Sequence, residues 1–326
     1  MRQFLFLLFT LITTVSHAQQ WHSISAHVDF IQQHEKLKYY DSNQVLIQGD
    51  ECALLIDAPG EFSQTERFIS KLDKQLKVPL CYLLVSHPHD DHLLGMALLQ
   101  NHYPDAKLIV HQHLNEQFHL AHAQLNERLD GFAKSIALSE HRMNNLPEQE
   151  QPPWQQKITA AKARLDKWQH LELQSPQLAI NKKTTLNLGN YKLNILPYAA
   201  HTDADLMVYI EQEALLAGAD MVDIKPYPGE ANFSQWLRAF DDLTALDITQ
   251  VLPGHGDAHS KASLNIPKAW LIAIVEHVNT HPEQSVEELV ASFPTHFSPS
   301  EPGLEQRAYR VFLTAGLQRA KATQGQ

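Results

Sequence analysis

A layered α/β fold is what this sequence predicts, and three observations predict it. Short apolar runs alternate with stretches of helical periodicity over residues 43–110 and again over 183–253. The runs close in turns rich in Gly, Asp and Asn. The metal-ligating residue types stand just after the apolar runs, where strands hand over to loops. With 326 residues, 44% of them apolar and 19% charged, the chain can bury a sizeable core as one large domain or two. A formal net charge of −11 without a basic stripe argues against a nucleic-acid partner and leaves a small-molecule substrate.

Residues 1–18 differ in kind. Arg2 precedes an apolar run from Phe4 to Val15, and Ser16-His17-Ala18 fits a small-x-small cleavage pattern. This reads as a secretory signal peptide, with an uncleaved anchor as the alternative. The run is short for a membrane span, so no stable span is expected after cleavage, and the mature protein is expected in the periplasm or secreted. Cys52 and Cys81 are the only cysteines, each starting an apolar run. An oxidising compartment permits a disulfide between them, but parallel neighbours often fail its geometry, so two buried thiols stay open as well.

Asn43–Gln48 and Ala53–Ile56 read as strands around a Gly49-Asp50 turn, and Asp57-Ala58-Pro59-Gly60 closes the second. A helix over 64–76 leads to a buried strand, Leu80–Val85, then a helix from about His92 and a strand over 107–110. Residues 112–178 break the rhythm. Apolar residues recur at helical spacing from Leu114 to Phe132 and from Trp154 to Leu171, with Pro152-Pro153 opening the second stretch. This is expected to be a helical insertion that covers the site as a lid. Its histidines, His111, His113, His119 and His122, read as solvated, although His119 and His122 have a helical i, i+3 spacing. A hairpin through Gly189-Asn190, two strands over 206–210 and 214–217, a helix over 233–244 and a strand ending at Pro253 follow. Residues 263–326 are expected to form a C-terminal helical extension.

Ser86-His87-Pro88-His89-Asp90-Asp91-His92 puts three histidines and two aspartates directly after a buried strand. Imidazole and carboxylate suit zinc and other borderline divalent metals. His87 and His89, two apart on an extended strand end, point the same way; Asp91 and His92, past the turn, face a second ion. The competing reading is a polar solvated loop. Three further candidates, His201, Asp220 and His255, each follow an apolar strand, and Gly254 and Gly256 let the backbone approach closely around His255.

With these residues in this order, the sequence resembles the metallo-β-lactamase superfamily: His-x-His-x-Asp-His at 87–92, Ala-His-Thr-Asp at 200–203, Ala-Gly-Ala-Asp at 217–220 and Pro-Gly-His-Gly at 253–256. The resemblance covers roughly residues 22–110 and 183–260, within a domain placed at 19–262. It implies an αββα sandwich. It also implies one metal on His87, His89 and His201, a second on Asp91, His92 and His255, Asp220 bridging them, and Asp57 bracing the metal loop. Two zinc ions are implied, with iron or a mixed pair as the alternative. The implied chemistry is hydrolysis of an ester, thioester, lactone or amide by a metal-bridging hydroxide, with Asp91 as proton carrier.

Departures matter. Asp220 stands where the cysteine-containing β-lactamases carry Cys, which favours glyoxalase-II-like and lactonase-like branches. Lys225 lies five residues after Asp220, whereas those β-lactamases place a substrate-binding lysine three after the cysteine. Tyr227 is a candidate oxyanion donor, or a loop anchor. The same frame resembles iron-dependent flavodiiron proteins and persulfide dioxygenases, though no flavodoxin-like segment or rubredoxin-type cysteine set follows here. A β-lactamase proper, a mononuclear iron dioxygenase and a non-catalytic zinc-binding protein are therefore the competing functions.

Overall fold

The computed structural model describes residues 19–300 and 302–324, so the segment read as a signal peptide lies outside the described residues. The first half builds a seven-stranded sheet in chain order: β1 Gln20–Ser23, β2 Val28–Gln32, β3 Gln44–Gln48, β4 Ala53–Ile56, β5 Leu80–Leu84, β6 Lys107–His111 and β7 Leu178–Ile180. Its first four strands are antiparallel neighbours; β4 to β7 run parallel. Parallel pairing needs crossovers, and the chain supplies helices α1 Phe62–Gln75, α2 Asp90–Leu93 and α3 Met96–His102 for them.

Between β6 and β7 stand α4 Gln112–Glu116, α5 Phe118–Asn144 and α6 Gln151–Trp168. The periodic apolar positions of this region pack on the first sheet's helical layer: Leu114, Phe118, Ala121, Leu125 and Trp168 join the core that holds Phe62 and Leu72 of α1. The rest of α5 and α6 is largely exposed. The return strand β7 is only three residues long, too short for a periodic pattern to mark it.

The second half forms a six-stranded sheet, β8 Thr184–Asn187, β9 Lys192–Tyr198, β10 Asp205–Ile210, β11 Leu215–Ala219, β12 Gln250–Pro253 and β13 His259–Ser260, again in sequence order. Helix α7 Phe233–Ala245 crosses between the parallel strands β11 and β12. Helices α8 Asn265–Thr280, α9 Val286–Ser292 and α10 Leu304–Ala322 pack outside it.

Three apolar clusters define four layers. The middle one lies between the sheets: Phe30, Ile47, Leu54 and Ile109 from the first face Ile195, Val208, Ile210 and Leu215 from the second. The others join each sheet to its helices. The strands alternate, as Leu55 and Leu83 point to the helices while Leu54 and Leu84 point to the opposite sheet. The αββα sandwich is thereby present. Cys52 and Cys81 are joined in a disulfide, with Cα atoms 5.5 Å apart beside the parallel pair β4 and β5. The register shift at Ala53/Leu54 lies at this end of the pair. No described helix is long and apolar enough to cross a membrane.

One buried carboxyl ties the loop after β2 to the loop after β4. Asp41 Oδ1 accepts the Gly60 N–H at 2.7 Å, and Oδ2 accepts from Gln64 Nε2 at 3.1 Å. Burial pushes its pKa up to about 8, helped by the charges of Asp91 and Glu61 and opposed by the N–H groups of Gly60 and Ser42. A carboxyl raised in the folded state favours folding fully below its unfolded pKa near about 3.9 and loses that contribution as pH rises through its folded value. Relative to Asp41→Asn, the wild type is therefore expected to lose about 2–3 kcal/mol of stability between pH 6 and pH 9. Denaturant unfolding of both proteins at fixed metal loading checks this, and parallel pH profiles would refute it.

Candidate metal centre

Every candidate ligand comes from a strand end on the same rim of the sandwich. β5 ends at Leu84 and delivers Ser86 and His87; His89 precedes the short α2, which carries Asp91 and His92. His201 sits in the β9–β10 turn, Asp220 follows β11 and His255 follows β12. The two sheets are tied at this rim, where Leu206 N–H donates to Ser86 O at 2.7 Å.

The atoms of His87, His89, His201 and Asp220 that could bind an ion lie within 4.8 Å of one another, and so do those of Asp91, His92 and His255. His87 Nε2 is 3.0 Å from His89 Nδ1, and His201 Nε2 is 3.4 Å from the same atom. Asp220 Oδ2 lies 3.7 Å from both His87 Nε2 and His201 Nε2 and 3.4 Å from His255 Nε2. Its Oδ1 lies 3.1 Å from His92 Nε2. Asp220 thus stands between the two groups. His255 Nε2 is 3.2 Å from Asp91 Oδ2.

The outer ring nitrogens of His87, His92 and His255 are held by the protein, whereas His201 Nδ1 is buried without a partner. Asp57, at the end of β4 with a left-handed φ of 62°, accepts Ser86 N–H and Ser86 Oγ–H, both at 2.7 Å, and His92 Nδ1 at 2.8 Å. Asp is among the few residues that tolerate this backbone region. Ser86 Oγ, having given its proton to Asp57, receives His87 Nδ1–H at 2.9 Å. His255 Nδ1–H donates to Lys38 O at 2.7 Å. With Nδ1 committed outward on all three rings, their Nε2 atoms converge on the oxygens of Asp91 and Asp220 as acceptors, unless a second proton is taken up. Asp220 Oδ1 is buried and has no hydrogen-bond partner. Acceptors facing acceptors in a buried site require positive charge at the centre, and this donor set fits a divalent metal of the zinc type.

The electrostatics express the same demand. Burial holds His87 well below the ordinary histidine range and His201 down to about 3, and neighbouring imidazoles add to both shifts. Burial opposes charge on His92 and His255 too, but Asp220 and the surrounding carboxylates outweigh it and raise both. For Asp91 and Asp220 burial is likewise overridden, by His92 and His255, and both carboxyls are held well below the usual carboxylate range.

The loops around the ligands are fixed in turn. Asp205 accepts Ala200 N–H at 3.0 Å and Thr202 Oγ–H at 2.7 Å, closing the turn that presents His201. Asn43 Nδ2 donates to Pro253 O and Gly256 O, holding the His255 loop. A Cβ on Gly254 would stand 2.0 Å from Asp220 Oδ1, so only glycine fits there. From the insertion, Gln124 Nε2 donates to Pro88 O at 3.2 Å and Arg128 pairs with Asp90 at 3.1 Å, so α5 rests on the metal loop. None of His111, His113, His119 and His122 joins a ligand group among the described residues.

A cavity of about 390 Å³ opens over Asp91, Asp220 and His255. Residues not singled out from the sequence line it: Tyr39, Asp223, Glu230 and Phe312. Asp223 accepts the His255 N–H at 3.0 Å, and burial together with the Asp220 charge pushes its carboxyl well up. Its place three after Asp220 was a usable signal. Glu230, 3.7 Å from His89 Nε2, had none. Tyr227 lines the cavity, whereas Lys225 turns to Glu305 at 3.1 Å.

The metallo-beta-lactamase superfamily model matches residues 38–163. No curated protein matches the chain by sequence. A metallo-beta-lactamase from Pontibacter korlensis superposes with a TM-score of 0.53 at 19% identity, covering 78% of this chain and 99% of its own. The metallo-beta-lactamase FIM-1 from Pseudomonas aeruginosa, in a mono-zinc form, gives 0.52 at 14% identity over 78% of this chain and 95% of its own. At these identities the likeness is one of fold.

Removing the Asp57 carboxylate releases three groups at once. Asp57→Ala is expected to lower the affinity for a divalent metal by about 10–100-fold, measured by titration against a competing chelator. Affinity equal to that of the wild type would show the brace to be dispensable.

Proposed function

We propose that this chain is a member of the metallo-β-lactamase superfamily, which the family-model match and the shared fold support, and a dinuclear zinc-dependent hydrolase of esters, thioesters, lactones or amides. The carrying observation is Asp220, a buried carboxylate with an unpartnered oxygen standing between two groups of ligand atoms. His87, His89 and His201 would hold one ion, Asp91, His92 and His255 the other, with Asp220 shared. A bound pair of zinc ions supplies an acidified water and polarises a carbonyl oxygen. A zinc-bearing structural neighbour supports the choice of metal.

The chain's own residues complete the reaction. Asp91, partly exposed to the cavity, is placed to accept the proton of the attacking water and pass it to the leaving group. Asp57, Ser86 and Lys38 O keep the three imidazoles oriented through the cycle. The insertion helix α5 narrows the mouth through Gln124.

Two observations weigh against a β-lactamase proper. The position three after Asp220 holds the buried Asp223 rather than a cation, and Lys225 is paired with Glu305. Secretion to the periplasm is part of this proposal, and the Cys52–Cys81 disulfide supports an oxidising compartment.

His87→Ala and Asp220→Ala are expected to abolish both zinc content and turnover. Metal analysis checks the ligands, and full activity in either variant would sink the assignment; iron in the purified protein would favour dioxygenase chemistry. Zinc-loaded protein is expected to leave a chromogenic cephalosporin intact while cleaving thioesters or lactones. Cephalosporin turnover that dies in His87→Ala would establish the antibiotic reading instead.

A further inference from the structure

We propose that Glu305 sets the charge preference of the cavity: it holds Lys38 and Lys225 away from the mouth, which then selects substrates that are neutral or cationic beside the scissile bond. The inference rests on the hydrolase reading of the same site. Glu305 opens helix α10, and its two carboxylate oxygens take one ammonium each, Lys38 on Oε1 and Lys225 at 3.1 Å on Oε2. Both lysines belong to segments that touch the ligands. Lys38 O receives His255 Nδ1–H, and Lys225 follows Asp223, which receives the His255 N–H. Neither reaches the lining.

Among the described residues no lysine or arginine lines the cavity at all. Arg128, on the insertion side, is engaged by Asp90. An incoming carboxylate therefore meets Glu230 at the rim, and no side-chain cation lines the cavity to receive it. The opposite wall is aromatic. Phe312 of α10 meets Tyr39 edge-on at 5.9 Å and Tyr227 at 5.4 Å between centroids. Ring faces of this kind attract cations; Tyr39 already engages Lys38 Nζ, 5.2 Å from its centroid, which leaves Phe312 and Tyr227 for an incoming group. Aromatic wall and acidic rim together favour a trimethylammonium-like or amine-bearing group over a carboxylate.

The test is direct binding, so it does not depend on turnover. Calorimetric titration of zinc-loaded protein with phenyltrimethylammonium and with benzenesulfonate compares a cation and an anion of similar bulk. Bound zinc attracts the sulfonate in wild type and variant alike, so the ratio of cation to sulfonate affinity is read against Glu305→Gln. Glu305→Gln, which frees both lysines at the surface, is expected to shrink that ratio by roughly three- to tenfold. Phe312→Leu is expected to weaken the cation alone. An unchanged ratio in Glu305→Gln with native circular dichroism and zinc content overturns the proposal, as does a Phe312→Leu that binds the cation as tightly as the wild type. A protein inert on every ester, thioester, lactone and amide tried that still shows the Glu305-dependent ratio would sink the hydrolase reading and leave this inference standing.

Discussion

Asp57 is the contact on which the rim of this molecule depends. One buried carboxylate at the end of β4 takes the backbone N–H and hydroxyl of Ser86 and the ring of His92. Through Ser86 Oγ it also fixes His87. Members of both ligand groups are therefore oriented by one side chain from a neighbouring strand. A hydrogen bond to a charged group contributes about 1.5–3 kcal/mol, and Asp57 makes three in a site closed to water. The left-handed turn that puts it there is a local conformational cost, which those bonds offset.

The double-sheet architecture makes such a site inexpensive to hold. Both sheets end at the same rim, and rigid strand ends converge without long loops. The first sheet contributes the 87–92 cluster, and the second contributes His201, Asp220 and His255. The bond from Leu206 N–H to Ser86 O and the reach of Asn43 to the His255 loop lock the halves together beside the ligands. Mutual repulsion among converging acceptors is thus absorbed by a scaffold packed through its whole interior.

Much of this was legible in the sequence, for a physical reason. Largely buried strands appear as bare apolar runs, as β3 to β6 and β10 to β12 do, and a ligand soon after β5, β9, β11 and β12 marks where those four end. The two-residue or three-residue strands β13 and β7 carry no period, and α9, which starts in a Ser285–Glu288 capping box, is too short to show one. The disulfide was undecidable because sequence gives no Cβ direction; 5.5 Å between Cα atoms settles it. The cavity's walls were hidden for a different reason. Tyr39, Glu230 and Phe312 come from separate loops and a distant helix, and nothing local distinguishes them from ordinary surface or packing residues.

That distant helix shows how the C-terminal segment enters the chemistry. Glu305 and Phe312 are seven residues apart, two turns along one side of α10, so the same helix delivers the carboxylate that engages the lysines and the ring that walls the cavity. Its buried side, with Tyr309, Leu313 and Leu317, is anchored in the core that also holds Trp236, Leu271 and Ile274. The position of Phe312 is therefore set by packing tens of residues away from any ligand. A cavity built in this way has its reactive floor fixed by strand ends and its wall fixed by helix packing. Changes at Phe312 can alter what enters without touching the bonds that orient His87, His92 and His255, because none of those bonds comes from α10; a change at Glu305 also releases Lys38, whose carbonyl holds His255.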